Sequence, residues 1–213
     1  MNTPPLFART PLQLAFTALR GDLMSEEGPK ISTMRNYRFA ILPYSPDEEF
    51  RLREQVGRLS ADLIAHGWSV LSISLQQLFM ERMRRLGEET YAAIVERERA
   101  TSRRSPERAL SFLRDKLSAE LEGPDGVAAD VAAVIEDFAQ RHPDRLERTV
   151  VLVGRAGALY PFYRTSALLK HIDGRTRNVP VVLLYPGTRD SDGGLSFMGI
   201  LPSDRDYRPR TYP

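Results

Sequence analysis

No cysteine occurs among the 213 residues, which excludes disulfides, a thiol nucleophile and a thiolate-bound metal. Histidine is nearly as scarce. His66, His142 and His171 stand apart near expected helix ends, without HxH or HExxH spacing, so no histidine-based metal centre is expected. No apolar run approaches the roughly 20 residues that cross a bilayer. The opening MNTPPLFARTPLQLAF lacks the basic start and uninterrupted apolar centre of a signal peptide. The default expectation is therefore a cytoplasmic protein without membrane contact.

The absences extend to catalytic motifs. There is no GxSxG elbow for a serine hydrolase. The two-acid-plus-lysine pattern of metal-dependent nucleases wants an acid two residues before a lysine, and Gly28, Arg114 and Leu168 stand there instead. Lysine itself is rare: Lys30, Lys116 and Lys170 are the only ones among 30 basic residues, the rest being arginine. Arginine suits planar contacts to carboxylate and phosphate, although a GC-rich genome accounts for the same bias. Net charge is only +2, so no strong global field steers an anionic partner.

What is present reads as an ordinary globular chain, 42% hydrophobic and 27% charged, long enough for one domain with a sizeable core. Residues 1–36 read as an N-terminal arm and connector. The arm is loosely held and bears one amphipathic helix whose apolar face is Leu12, Ala15, Phe16 and Leu19. Residues 37–213 form the α/β domain. Four apolar runs, residues 38–44, 68–74, 149–154 and 179–185, predict strands, and those at 149–153 and 179–185 are unalternated, as in strands buried on both faces. Ser45-Pro46-Asp47-Glu48 predicts a capped helix start, with Leu52, Val56, Leu59 and Leu63 as its buried stripe and Gly67 as its left-handed stop. Residues of about 75–145 predict a helical insertion. A helix over residues 161–172 joins the third and fourth strands. A fifth strand over residues 195–201 is expected antiparallel at an edge, followed by an extended surface tail.

The predicted fold is a three-layer, mostly parallel α/β domain of about five strands, with P-loop-NTPase-like topology but no phosphate-binding loop. Its first strand exit, residues 43–48, has no glycine or lysine and has two prolines that delete amide donors. In such sheets ligands sit beyond the carboxyl ends of the strands. Gly154 and Gly157, with Gly187 after the fourth strand, are candidates for phosphate contact, although tight turns or close packing explain them more simply. Asp47, Glu48 and Glu49 read as compensation of a helix dipole or as an acidic site. Arg164, Arg189 and the tail arginines, with Tyr160, Tyr163, Tyr185, Tyr207 and Tyr212, suit an interface or ordinary surface placement.

The run VGRAGALYPFYRTSALLKHI, followed by PVVLLYPGTRD and LSFMGILPSDRDYRPRTYP, resembles the B component of BREX bacteriophage-resistance systems, the BrxB-like family. Upstream, FAILPYSPDEE and LSISLQQLF follow the same pattern, so the resemblance covers about residues 20–213. Its most distinctive pieces are the turn of Pro161, Phe162 and Arg164, the turn of Tyr185 to Gly187, and the closing Tyr207 and Arg208. The resemblance implies a small non-enzymatic subunit without a cofactor. It would be encoded beside a DNA adenine methyltransferase, a large ATPase and a PglZ-type, alkaline-phosphatase-like protein, the last its main partner. Phe162, Arg164, Tyr185, Arg189, Tyr207 and Arg208 are then the expected partner-binding residues. Asp206 departs from the family pattern, which usually carries a second tyrosine there. Phosphate or nucleotide sensing without hydrolysis, and direct DNA contact by the arginines, are the alternative functions.

Overall fold

A computed structural model describes residues 9–31, 38–190, 194–203 and 209–213. Strands β1 (Phe39–Tyr44), β2 (Ser69–Ser74), β3 (Thr149–Gly154) and β4 (Val181–Arg189) form a parallel sheet in the order β2-β3-β4-β1. Strand alternation divides their side chains between two cores. Phe39, Ile41, Val151, Val153, Val181 and Leu183 face one core; Ala40, Leu42, Val150, Leu152, Val182 and Leu184 face the other. Because β1, β3 and β4 are covered on both faces, their covered stretches, residues 39–44, 150–153 and 181–186, are chiefly apolar, and the buried Thr149 hydroxyl at the start of β3 donates to the Arg145 carbonyl. The three-layer α/β expectation holds, with β1 inside the sheet.

The second core is closed by α1 (Pro11–Leu23) and α2 (Glu49–Ala65). Helix α1 starts with a reciprocal box, in which the Gln13 amide donates to Thr10 Oγ1 and the Thr10 amide donates to Gln13 Oε1. The expectation of a loosely held arm is corrected. Leu12, Ala15, Phe16, Leu19 and Leu23 are all buried, and Arg20 bonds Asp62 of α2 at 2.5 Å. Helix α2 starts later than the sequence suggests, after a 3-10 turn at Pro46–Glu48, and Ser45 makes no side-chain cap. The Glu48 amide instead donates to the Ser45 carbonyl. Gly67 closes the helix at φ +80°, as predicted. Although α2 joins β1 to β2, the two strands are not neighbours, since β4 and β3 lie between them.

The first core is closed by α3 (Leu75–Arg85), α5 (Pro106–Glu122), α6 (Val127–Arg141) and α7 (Thr165–Ile172). Helix α4 (Glu88–Ser102) leans on α5 without burying a residue, and Arg97 lies over the Phe112 ring. Arg82 ties the insertion together through Glu120, Asp130 and the carbonyls of Asp125 and Gly126. The helix expected over residues 161–172 is shorter. A 3-10 turn at Ala156–Leu159 and a cis Tyr160–Pro161 bond precede α7, and Glu122 receives the Arg164 amide at its start.

Two C-terminal expectations change. Strand β5 is only Leu195–Phe197 and pairs antiparallel with the far end of β4, Gly187 to Arg189, forming a hairpin beyond the strand ends. Left-handed Met198 and Gly199 end it. The described end of the tail, residues 209–213, does not lie loosely on the surface. Arg210–Thr211 forms β6, parallel to β1, and so covers an edge that would otherwise be open. Tyr212 is 1% exposed, its amide donates to Ile41 O at 2.9 Å, and its hydroxyl donates to Asp22 of α1 at 2.9 Å. A tyrosine has the apolar body and polar tip for such a site. Tyr212→Ala is expected to cost about 3 kcal/mol of stability, read as a lowered urea midpoint; an unchanged midpoint would show the tail to be dispensable.

Candidate functional site

The loop after β1 leads to α2 on one face of the sheet, and the loop after β3 leads to α7 on the other. Between them, over the end of β4, lies a crevice of about 230 Å³ lined by Tyr44, Pro46, Glu49, Arg155, Gly157, Ala158, Pro186 and Met198. A crevice at diverging loops is where open parallel sheets hold ligands. Two larger cavities lie elsewhere, between α1 and α2 and beside Arg177 and Asn178.

Arg155 organises this crevice. Its guanidinium donates to Glu49 Oε1 at 3.1 Å and to Gln76 Oε1 at 2.8 and 3.2 Å, so it joins the exits of β1, β2 and β3. Its backbone is left-handed at φ 63°, a conformation costing an L-residue about 1–2 kcal/mol. Met198, also in the lining, has φ 57°. Backbone strain of this kind collects at functional sites.

Glu49 sits in the first turn of α2 and accepts from three donors. Tyr44 Oη approaches at 2.5 Å, Arg155 at 3.1 Å and Arg53 at 3.2 Å. Partial burial favours the protonated carboxyl, but these donors outweigh it and hold the group below its ordinary 4.5. Burial, reinforced by Glu49, drives the Tyr44 hydroxyl far above the ordinary tyrosine range. The polar groups of the crevice are thus engaged with one another. Close in sequence to its lining are Phe50, next to Glu49 and 80% exposed in the first turn of α2, and Ile200, two residues beyond Met198 and 66% exposed. No other large apolar side chain among the described residues is as exposed as these two.

The expected site residues are dispersed. Arg164 and Arg189 are exposed, and Phe162 is half-buried against the first core. Tyr185 is the clear correction: it is fully buried, edge-on to Phe197, and donates to the Leu195 carbonyl at 3.2 Å. It supports the β4–β5 hairpin and presents nothing to a partner. Tyr207 and Arg208 lie outside the described residues. Among the glycines, Gly157 lines the crevice but a Cβ there would meet Met198 Sδ at 3.1 Å, and at Gly187 it would lie 2.2 Å from Ser196 O. Close packing therefore accounts for both, and none of Gly154, Gly157 and Gly187 has a positive φ. Among the described residues, no group of three or more acids or histidines is placed to hold a metal.

Sequence reasoning missed Phe50, Arg155 and Ile200. Phe50 had a signal, being a large apolar residue off the Leu52–Leu59–Leu63 stripe in an otherwise charged turn. Arg155 carried none, because only the fold brings it to Glu49.

Comparison with known proteins identifies one family. The model described as BREX protein BrxB matches residues 71–211, about two thirds of the chain, and the chain belongs to this family. No curated protein and no solved structure matches it.

The Glu49 arrangement sets a pH dependence. A carboxyl held below 4.5 in the folded state stabilises the protein above that pH, and the contribution is lost as pH falls through the folded-state value. Glu49→Gln should therefore lower the urea midpoint near neutrality, and the gap to wild type should close in acid. A gap that does not change with pH would mean that the charge of Glu49 is irrelevant.

Proposed function

We propose that this BrxB-family chain is a non-catalytic docking subunit of BREX bacteriophage defence. It binds another component of that system through the carboxyl-end face of its sheet. Family membership supports the role in phage defence. One observation carries the docking reading: the two most exposed large apolar side chains among the described residues, Phe50 and Ile200, stand one residue from Glu49 and two from Met198, both in the lining of a crevice whose charged groups already satisfy one another.

Exposed apolar anchors beside arginines match the composition of interface hot spots, where a few residues carry most of the affinity. Burying Phe50 alone would contribute on the order of 2 kcal/mol. The Glu49–Arg155–Gln76 ties keep the loops beneath these anchors in one arrangement, which reduces the ordering cost of association. Arg189 pairs with Leu195 in the same β4–β5 hairpin that leads to Met198 and Ile200, and it is exposed.

The partner we assign is the PglZ-type, phosphatase-like component, the main partner that the family resemblance implies; the resembling runs 153–172, 180–190 and 195–213 contribute Arg155, Gly157, Ala158, Pro186 and Met198 to this face. The methyltransferase and the ATPase are the competing partners. Purified phosphatase-like component should bind the wild-type chain, and Phe50→Ala with Ile200→Ala should weaken that binding about tenfold or more. Both variants should keep the wild-type melting temperature, since these side chains are exposed. Binding at wild-type strength in the double variant would refute the docking face.

A further inference from the structure

Among the described residues, one edge of the sheet is left open. At the opposite edge, β6 covers β1, but β2 pairs only with β3, and no other described element hydrogen-bonds to its backbone. In a parallel pair, half of the backbone N–H and C=O groups of an edge strand point away from its partner. Edge strands normally carry lysine, proline, a bulge or charge that prevents pairing with another chain. Strand β2 has none of these. Its sequence is SVLSIS, paired residue for residue with β3 from Ser69↔Thr149 to Ser74↔Gly154 without a bulge.

Residues 63–80, centred on β2, are the longest stretch of the chain without Asp, Glu, Lys or Arg. Among the described residues, charge reaches this stretch only near its two ends, where the Arg148 guanidinium lies beside Gly67 and Arg155 bonds Gln76. Beside it, the side of α2 that carries Gln55, Arg58 and Asp62 faces α1. The opposite flank carries Arg53, Gly57, Ser60 and Ile64; Arg53 lies towards the carboxyl-end face and bonds Glu49, while Ile64, beside the start of β2, is 59% exposed. Val70 and Leu71 of β2 are half-buried and Ser72 is exposed. Met80 of α3 is also exposed.

We infer that β2 is a self-pairing edge, joining a second copy of this chain through antiparallel β2–β2 contact about a two-fold axis. A two-fold contact places residues near the axis opposite their own copies. A charge there would face an identical charge, so a self-pairing edge must be free of charge at its centre, and residues 63–80 meet that condition. A hetero-partner would set no such requirement. The unsatisfied backbone groups supply the hydrogen bonds, and Ile64 supplies apolar area beside them. This edge is separate from the carboxyl-end face, so a homodimer formed here leaves Phe50 and Ile200 accessible.

Sedimentation velocity of the full chain over a dilution series up to about 100 μM tests the inference, a range that reveals micromolar association. The wild-type chain should sediment as a dimer in exchange with monomer. Ser72→Lys places like charges across the axis and should weaken the dimer about tenfold or more. Ser72→Thr, uncharged and β-branched, should retain it. Circular dichroism and melting temperature should be unchanged in both variants, as Ser72 is exposed. A wild-type chain that stays monomeric throughout overturns the inference, as does a dimer equally strong in Ser72→Lys. A monomeric chain whose binding of the phosphatase-like component is lost in Ser72→Lys would overturn it in favour of a strand supplied by that protein.

Discussion

A parallel strand covered by helices on both faces admits a polar side chain only where that group finds a hydrogen-bond partner, because a buried polar group without one costs more than the strand gains. Strands β1, β3 and β4 obey this constraint, and its consequence is spatial. Their chemistry is displaced to the strand ends, where the first polar residues of each loop meet. Glu49, Arg155 and Gln76 come from three different exits and bond within 3.2 Å. The crevice above β4 is thus the outlet of the core. Its most exposed neighbours, Phe50 and Ile200, stand where the chain is free to present side chains that the core does not need.

Much of this was legible in advance. The unalternated strands, the α2 stripe and the Gly67 stop are local signals, and each element stands where its signal lies. The tail was not legible. Its proline-interrupted, arginine-rich sequence reads as a surface strip, yet Tyr212 is among the most buried aromatics because its ring closes the core and its hydroxyl meets Asp22. The same limit applies to α1, whose apolar face was visible although its destination was not.

The site was only half legible, for the same reason. The strand ends were foreseen as its location. Tyr185 was misread because an aromatic beside a glycine turn resembles a contact residue, whereas strand alternation aims it into the first core. Arg155 was passed over as part of a glycine turn. Its left-handed backbone and its bond to Glu49, 106 positions earlier, exist only in the folded chain. Membership of the BrxB family gives these residues a biological setting, phage defence, that no distance could supply.

The central claim is that the carboxyl-end face meets another BREX component. Amide hydrogen exchange, recorded for the chain alone and with the purified phosphatase-like component, tests it most directly. Protection is predicted in residues 45–50, 155–158 and 196–200, which come together only in the folded crevice. Protection confined to α4 and α5, with those three segments unchanged, would contradict the account.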